Sequence, residues 1–260
     1  MSEPRVLLVV ATLGRRPEFL RETLISIRAQ EVKSDIVMVA PVGDARVREC
    51  AAEFGAELLP DPGTLPSAIN LGASRLAERH EYVNWLNDDD LLEPGSLLAT
   101  TGALDRAPGA VVAYGACRYI DPQGRQLWLS RAGRWATRIL KWGPDLIPQP
   151  GMLVRAAAWR QVGGVDESYR LAFDLDLLLR LQAIGQLLDV DRVVSSFRWH
   201  PDSLTVDDRT TNLAESERAK RAALGPRARS LSWMWEPPVR AAIRLAAAEV
   251  QRRASRLAAR

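Results

Sequence analysis

The chain has 260 residues, which leads to an expectation of one to two domains. Apolar residues make up 47% and charged residues 26%, a balance that excludes a disordered chain, a collagen-like fibre and a disulfide scaffold. The net charge of +3 is uneven: residues 206–260 hold 12 Lys and Arg against 6 Asp and Glu, while residues 1–205 hold 23 against 26.

Residues 5–11 (RVLLVVA) form a continuous apolar run, as in a strand buried on both faces. Pro17 sits near a helix start, and Phe19, Leu20, Thr23, Leu24 and Ile27 recur at helical spacing. A second strand is predicted over Ile36–Ala40, a helix over Val47–Phe54 and a short strand over Glu57–Leu59, ahead of the Asp61–Gly63 turn. Helix is predicted from Pro66 to Ala77, strand over Tyr82–Leu86, helix from Pro94 to Leu104 and strand over Ala110–Cys117. This alternation predicts an α/β layer fold with a largely parallel sheet. Beyond residue 118 come a hairpin around Pro122–Gly124, a loop-like stretch over 131–150 and a strand over Met152–Arg155. Helices over Ala156–Val162 and Phe173–Ala183 follow, with a late strand over Val193–Trp199.

Cys50 and Cys117 lie far apart and show no metal spacing. The opening MSEPRVLLVV lacks the basic leader and long apolar core of a signal peptide, and no run approaches the ~18 apolar residues of a membrane span. A reduced, cytoplasmic protein is the expectation. Nucleic acid is not an expected partner, because no basic stripe with interleaved aromatics runs along the body.

In doubly wound sheets ligands bind beyond the carboxyl ends of the strands, so Thr12–Arg16, Pro41–Asp44 and Asn87–Asp90 are the candidate positions. Asp88, Asp89 and Asp90 follow one another where a strand stops. Like charges ~4 Å apart repel by ~1 kcal/mol in water and ~4 kcal/mol near a protein surface. A hard divalent ion, Mg²⁺ or Mn²⁺, would offset this through oxygen ligands and share a substrate diphosphate. Alternatively, Asp90 to Glu93 ahead of Pro94 reads as a capping box.

Asp174 and Asp176 form a second acidic pair. Two residues apart on a helix they point ~200° apart, so they cannot serve one site. Asp176 has Arg180 four residues on and reads as a surface ion pair. Asp174 is then free either to take a proton from an attacking hydroxyl or to act as the N-cap of its helix. His200, ending a strand in RWHPDSLT, is either structural or a ligand to an ion or phosphate. Six Lys and Arg and one acid, Asp121, lie between Arg118 and Lys141, a charge that either a phosphate-bearing substrate or solvent would satisfy. No GxxxxGK[ST], GxGxxG, GxSxG or HExxH occurs, which argues against kinase, dehydrogenase and serine-hydrolase chemistry.

Together ATLGRRPEFLRETLISIRAQ, LPSAINLGASRLAE, YVNWLNDDDLLEPGSL, IPQPGMLVRAAAWRQVGGVDESYRLAFDLDLLLRL and RWHPDSLT resemble, in order, the segments of glycosyltransferase family 2, of GT-A fold, over residues 5–205. The resemblance implies a mostly parallel central sheet flanked by helices in a domain spanning 1–205, followed by a basic helical extension over 206–260. It implies an inverting transfer of sugar from a nucleoside-diphosphate donor to a saccharide or lipid-linked acceptor, in cell-envelope or exopolysaccharide synthesis. Asp88, Asp89 and Asp90 fall on the DxD-type motif, with Asp90 as metal ligand, Asp88 shared between metal and donor, and Asp89 near the ribose or diphosphate. Asp174 matches the base, Thr12 and Arg16 the nucleotide-binding first turn, Asn70 the donor-side helix, and His200 a position near metal and diphosphate. The sequence departs from the family after the second strand, where a single displaced Asp44 replaces the usual acidic pair, and Ile69 stands where Arg is frequent. A metal-dependent nucleotidyltransferase and a non-catalytic nucleotide-sugar-binding member are the alternatives.

In the tail Val239, Ile243, Ala246, Val250 and Leu257 form one helical stripe with arginines off it. Such a helix either lies on an anionic membrane, at the inner face, or packs on the body.

Overall fold

In the computed structural model, residues 3–131, 133, 135–199, 209–225, 236–237 and 239–241 are described. In chain order the elements are β1 (Val6–Ala11), α1 (Pro17–Arg28), β2 (Ser34–Ala40), α2 (Ala45–Glu53), β3 (Glu57–Pro60), α3 (Leu65–Ala73), β4 (Tyr82–Asn87), β5 (Leu91–Leu92) and α4 (Ser96–Arg106). They continue with β6 (Ala110–Ile120), β7 (Gln126–Ser130), α5 (Ala136–Ile139), β8 (Leu153–Arg155), α6 (Ala156–Val162), α7 (Phe173–Ile184), β9 (Gln186–Arg198) and α8 (Arg209–Ala223).

The strands form one sheet in the order β3-β2-β1-β4-β8-β6-β9-β5, with β7 also paired to β6. The β3-β2-β1-β4 half is parallel. β8 runs antiparallel between β4 and β6, and β6 and β9 are parallel. Because side chains alternate along a strand, β1 feeds two cores. Leu7 and Val9 pack with Trp85 and helices α3, α6 and α7, while Leu8 and Val10 pack with α1, α2 and α4. Val6 to Val10 are each at most 1% exposed, so every one of these side chains contributes about 1.5–3 kcal/mol of burial. The close fit of α3 on β1 needs Gly72, where a Cβ would come within 2.4 Å of Val9 Cγ1.

Three expectations change. Helix α3 stops at Ala73, four residues early, and the chain turns through 74–80, where the His80 ring accepts the Ala77 N–H at 3.0 Å. No capping box forms at Asp90–Glu93. Helix α4 starts after Gly95, at φ +75°, and the Glu93 carboxylate instead accepts from Arg118 (3.1 Å) and the Ser196 hydroxyl (2.5 Å). Strand β9 begins at Gln186 because β6 pairs with it from Ala110 onward, through bulges that absorb the polar stretch Asp189–Arg192.

The expected boundary at 205/206 falls outside the described residues. Helix α8 packs on α7, and Arg240, later in the chain, donates to Glu217 at 2.7 Å. Most of the amphipathic stripe lies outside the described residues, and no described helix is long and apolar enough to cross a membrane.

Candidate active site

The parallel strands β1, β2 and β4 end on one edge of the sheet, and beyond that edge lies a cavity of about 340 Å³. The pairing Ala11↔Asn87 brings the residues that follow β1 and β4 side by side. Thr12 Oγ1 donates to the Asp88 carboxylate and accepts the Gly14 N–H at 2.9 Å. Gly14 has φ +70°, a turn that a side chain would strain, and it aims the arginines that follow into the cavity. Arg16 Nη1 stands 3.4 Å from Asp89, and Arg15 joins the lining.

The three consecutive aspartates have different fates. Asp88 and Asp89 line the cavity. Burial raises the proton affinity of Asp88, opposed by the Thr12 hydrogen bond, and the Asp89 charge raises it further. Asp90, expected as metal ligand, is fully buried away from the cavity. Its Oδ1 accepts the Arg198 N–H (3.3 Å) and its Oδ2 the Asn87 amide (3.2 Å). Burial and its acidic neighbours hold Asp90 well above the usual carboxylate range.

Arg198 organises this corner. The side chain is buried, donates to the Asp89 carbonyl (3.2 Å) and the Pro122 carbonyl (2.9 Å), pairs with Glu22 and lies over the Phe19 ring. Its pairing with Asp89 and Asp90 is set by strand register across more than a hundred residues, so no local pattern announces it.

Asp44 lies outside the cavity lining. It caps α2, accepting the Arg46 N–H at 2.9 Å, and pairs with the Arg46 guanidinium. The carboxylate that lines the cavity on this side is Asp61, at the end of β3, which the sequence presents only as a turn residue. Asn70, expected on the donor side, is engaged elsewhere: its amide donates to the Val165 carbonyl (2.9 Å) and Glu167 (2.8 Å), and its carbonyl accepts the Val165 N–H (3.1 Å). It pins the 165–167 loop. His200 lies outside the described residues.

Asp174 sits on the first turn of α7. The N-cap is Ala172, without a side-chain cap, so Asp174 is not the N-cap. Its Oδ1 accepts the Leu175 N–H at 2.8 Å, and burial pushes its carboxyl up to about 6. Asp145, from the loop before β8, is pushed up to about 7 by burial and by the charge of Asp174. The Asp176–Arg180 pair forms at 2.7 Å but is not a surface feature: Asp176 is buried, and Arg180 also donates to the Val162 and Gly164 carbonyls. Arg118 and Arg125 of the basic stretch also have partners within the chain, Glu93 and Asp121.

The base candidate does not line the cavity of Asp88 and Asp89. Two aromatic contacts connect the regions. Trp85, two residues before Asn87, lies 6.0 Å from Phe173 beside Asp174. Phe197, in the cavity wall, lies 5.2 Å from Tyr119, whose hydroxyl is pushed up by burial and by the charges of Asp90 and Asp145 among others. Among the described residues no group of three His, Cys, Asp or Glu side chains could hold a metal by itself.

The fold has a counterpart in solved structures. S. aureus TarS 1–349 superposes with a TM-score of 0.62 at 13% identity, covering 84% of this chain and 65% of that one. Its complex with UDP-GlcNAc gives 0.64 at 14% identity, over 84% and 66%. The chain has a GT-A-like fold. Among curated proteins, an uncharacterized glycosyltransferase of Rickettsia typhi, RT0329, is 23% identical over 217 residues, 79% of this chain and 66% of the relative. An uncharacterized protein of Sinorhizobium fredii, y4gI, is 28% identical over 234 residues, 84% of this chain but 25% of the relative. The chain thus spans less than two thirds of the length of each of these relatives. No family model matches it.

Proposed function

We propose that the chain is an inverting glycosyltransferase of family 2 type, moving a sugar from a nucleoside diphosphate to a hydroxyl acceptor. The observation that carries this reading is the cavity itself, in which Asp88 and Asp89 stand with Thr12, Arg15 and Arg16 beyond the carboxyl ends of parallel strands. The arginines suit phosphate oxygens. The TarS neighbour solved with UDP-GlcNAc supports a UDP-sugar as the first donor to try. Asp61 at the far wall is a candidate contact for the nucleoside, in place of Asp44.

Two adjacent carboxylates, one of them with raised proton affinity, fit a hard divalent cation of the Mg²⁺ or Mn²⁺ class better than zinc. Asp88 and Asp89 would hold it, with diphosphate and water completing the shell. When bound, such an ion offsets the charge that develops on the departing diphosphate. The chain's own residues do the rest. Arg15 and Arg16 orient the diphosphate, and Asp174 takes the proton of the attacking hydroxyl. As the acceptor oxygen bonds to the anomeric carbon, the bond from that carbon to the diphosphate breaks on the opposite face. A carboxyl lifted to about 6 is ionised at neutral pH yet a stronger base than an ordinary aspartate. Saccharide and lipid-linked acceptors of cell-envelope or exopolysaccharide synthesis remain the proposed destination.

The test is nucleoside diphosphate release from a panel of nucleotide sugars, UDP-GlcNAc first, with Mn²⁺ or Mg²⁺ and saccharide acceptors. Asp174→Asn is expected to lower kcat by roughly 10² to 10⁴ while leaving donor binding intact. Pyrophosphate release from nucleoside triphosphates would favour a nucleotidyltransferase instead. Donor binding without turnover would mark a non-catalytic member.

A further inference from the structure

Helix α8 grips both segments that present the carboxylates Asp174 and Asp145. Near its middle, the Glu215 carboxylate accepts three consecutive backbone N–H groups: Arg170 at 2.9 Å, Leu171 at 2.8 Å and Ala172 at 3.0 Å. These residues lead directly into α7, two positions before Asp174, and α7 has no side-chain cap of its own. One turn on, Arg218 donates to the Ser168 carbonyl at 2.8 Å and lies 3.8 Å over the Tyr169 ring. Further along the helix, buried Lys220 donates to the Gly143 carbonyl at 2.5 Å, two residues before Asp145.

A surface helix docked for stability alone needs apolar contacts. Helix α8 has such contacts, with Ala219 buried in the core and Ala223 packed against it, and adds three charged side chains that bond backbone groups of segments 168–172 and 143. Three N–H groups converging on one carboxylate, as at a helix N-terminus, fix that backbone more firmly than packing would, because each bond is directional and charge-assisted. Glu215 itself is held below the usual carboxylate range by these N–H groups against the upward push of burial, so it is an anion at neutral pH.

We propose that Glu215 is a positioning residue for Asp174, holding the backbone of 170–172 so that the first turn of α7 keeps the half-buried base beside Asp145. This rests on the reading of Asp174 as the base, and it makes α8 part of the active site instead of an appendage. The charged group that acts on Asp174 is Asp145, from the loop before β8, whose own charge is opposed by Lys220 of α8.

The experiment uses the full chain with ¹³C-carboxyl-labelled aspartate and follows the titration of Asp174, assigned by its loss in Asp174→Asn. In wild type the midpoint is expected above the ordinary aspartate value. Glu215→Ala frees 170–172 and admits water, so the midpoint falls towards that ordinary value. Glu215→Gln keeps an accepting oxygen and falls between. Glu217→Gln, on the same helix but bonded to Arg240, leaves the midpoint in place. If Glu215→Ala does not fold, the Gln variant decides. A wild-type midpoint in both Glu215 variants that fold, or an equal shift in Glu217→Gln, overturns the proposal. With turnover of UDP-GlcNAc in hand, the Gln variant should lose kcat about tenfold or more with donor KM unchanged. A shifted titration in a protein without any donor turnover would sink the glycosyltransferase reading while leaving the positioning role in place.

Discussion

Replacing Asp145 by Asn should stabilise the protein at neutral pH, and the size of the effect follows from its surroundings. Asp145 is lifted from 3.8 to about 7 by burial and by Asp174. A carboxyl that binds its proton more tightly in the folded state contributes stability that is complete below the unfolded value near 4 and is lost as pH rises towards 7. The full difference, about three decades of proton affinity, corresponds to an upper bound of about 4 kcal/mol at pH 8. The side chain retains some solvent contact and shares its repulsion with Asp174, so about 2 kcal/mol is a better figure. Asparagine preserves the bond from the Ile147 N–H, at 3.0 Å in the native protein, and carries no charge. Urea unfolding of both proteins from pH 4 to pH 8 should give equal stabilities at the acid end and a gap of about 2 kcal/mol in favour of the variant at the alkaline end. Curves that stay parallel across the range, or a variant that is weaker at pH 8, would refute the account of the carboxylate pair.

Lys220→Met removes the buried cation that opposes the charge on Asp145, so the loss of stability between pH 5 and pH 8 should become steeper, read by the same titration of unfolding midpoints. Arg198→Ala leaves the Asp89 and Pro122 carbonyls and Glu22 without their donor side chain, while the backbone N–H to Asp90 remains, and should cost about 3–5 kcal/mol in urea unfolding. Gly72→Ala drives a methyl to within 2.4 Å of Val9 and should cost about 1–3 kcal/mol, with far-ultraviolet circular dichroism unchanged. Asp89→Asn removes one of the two cavity carboxylates and should weaken Mn²⁺-dependent donor binding by tenfold or more in calorimetry, whereas Asp90→Asn should leave it nearly unchanged.

The parallel half of the sheet was legible in the chain because its strands are buried on both faces. Runs such as Val6–Val10 must then be apolar throughout, and short runs between helices admit few other layouts. That the acidic run Asn87–Asp90 starts at the carboxyl edge of the sheet was legible for a related reason, since it follows directly on a buried strand. Which acid faces the cavity was decided by tertiary structure. Asp90 is turned inward by the Arg198 backbone N–H arriving from β9 and by the Asn87 amide, and Asp61 becomes a cavity wall only because β3 ends beside β2. The Glu215 clamp and the Asp145–Asp174 pair were equally invisible. They join segments 45 and 29 residues apart through individual hydrogen bonds and charges, which leave no periodicity along the chain. Hydrophobic pattern repeats locally and can be read from neighbours, whereas a polar contact depends on two single residues whose meeting is arranged by everything folded between them.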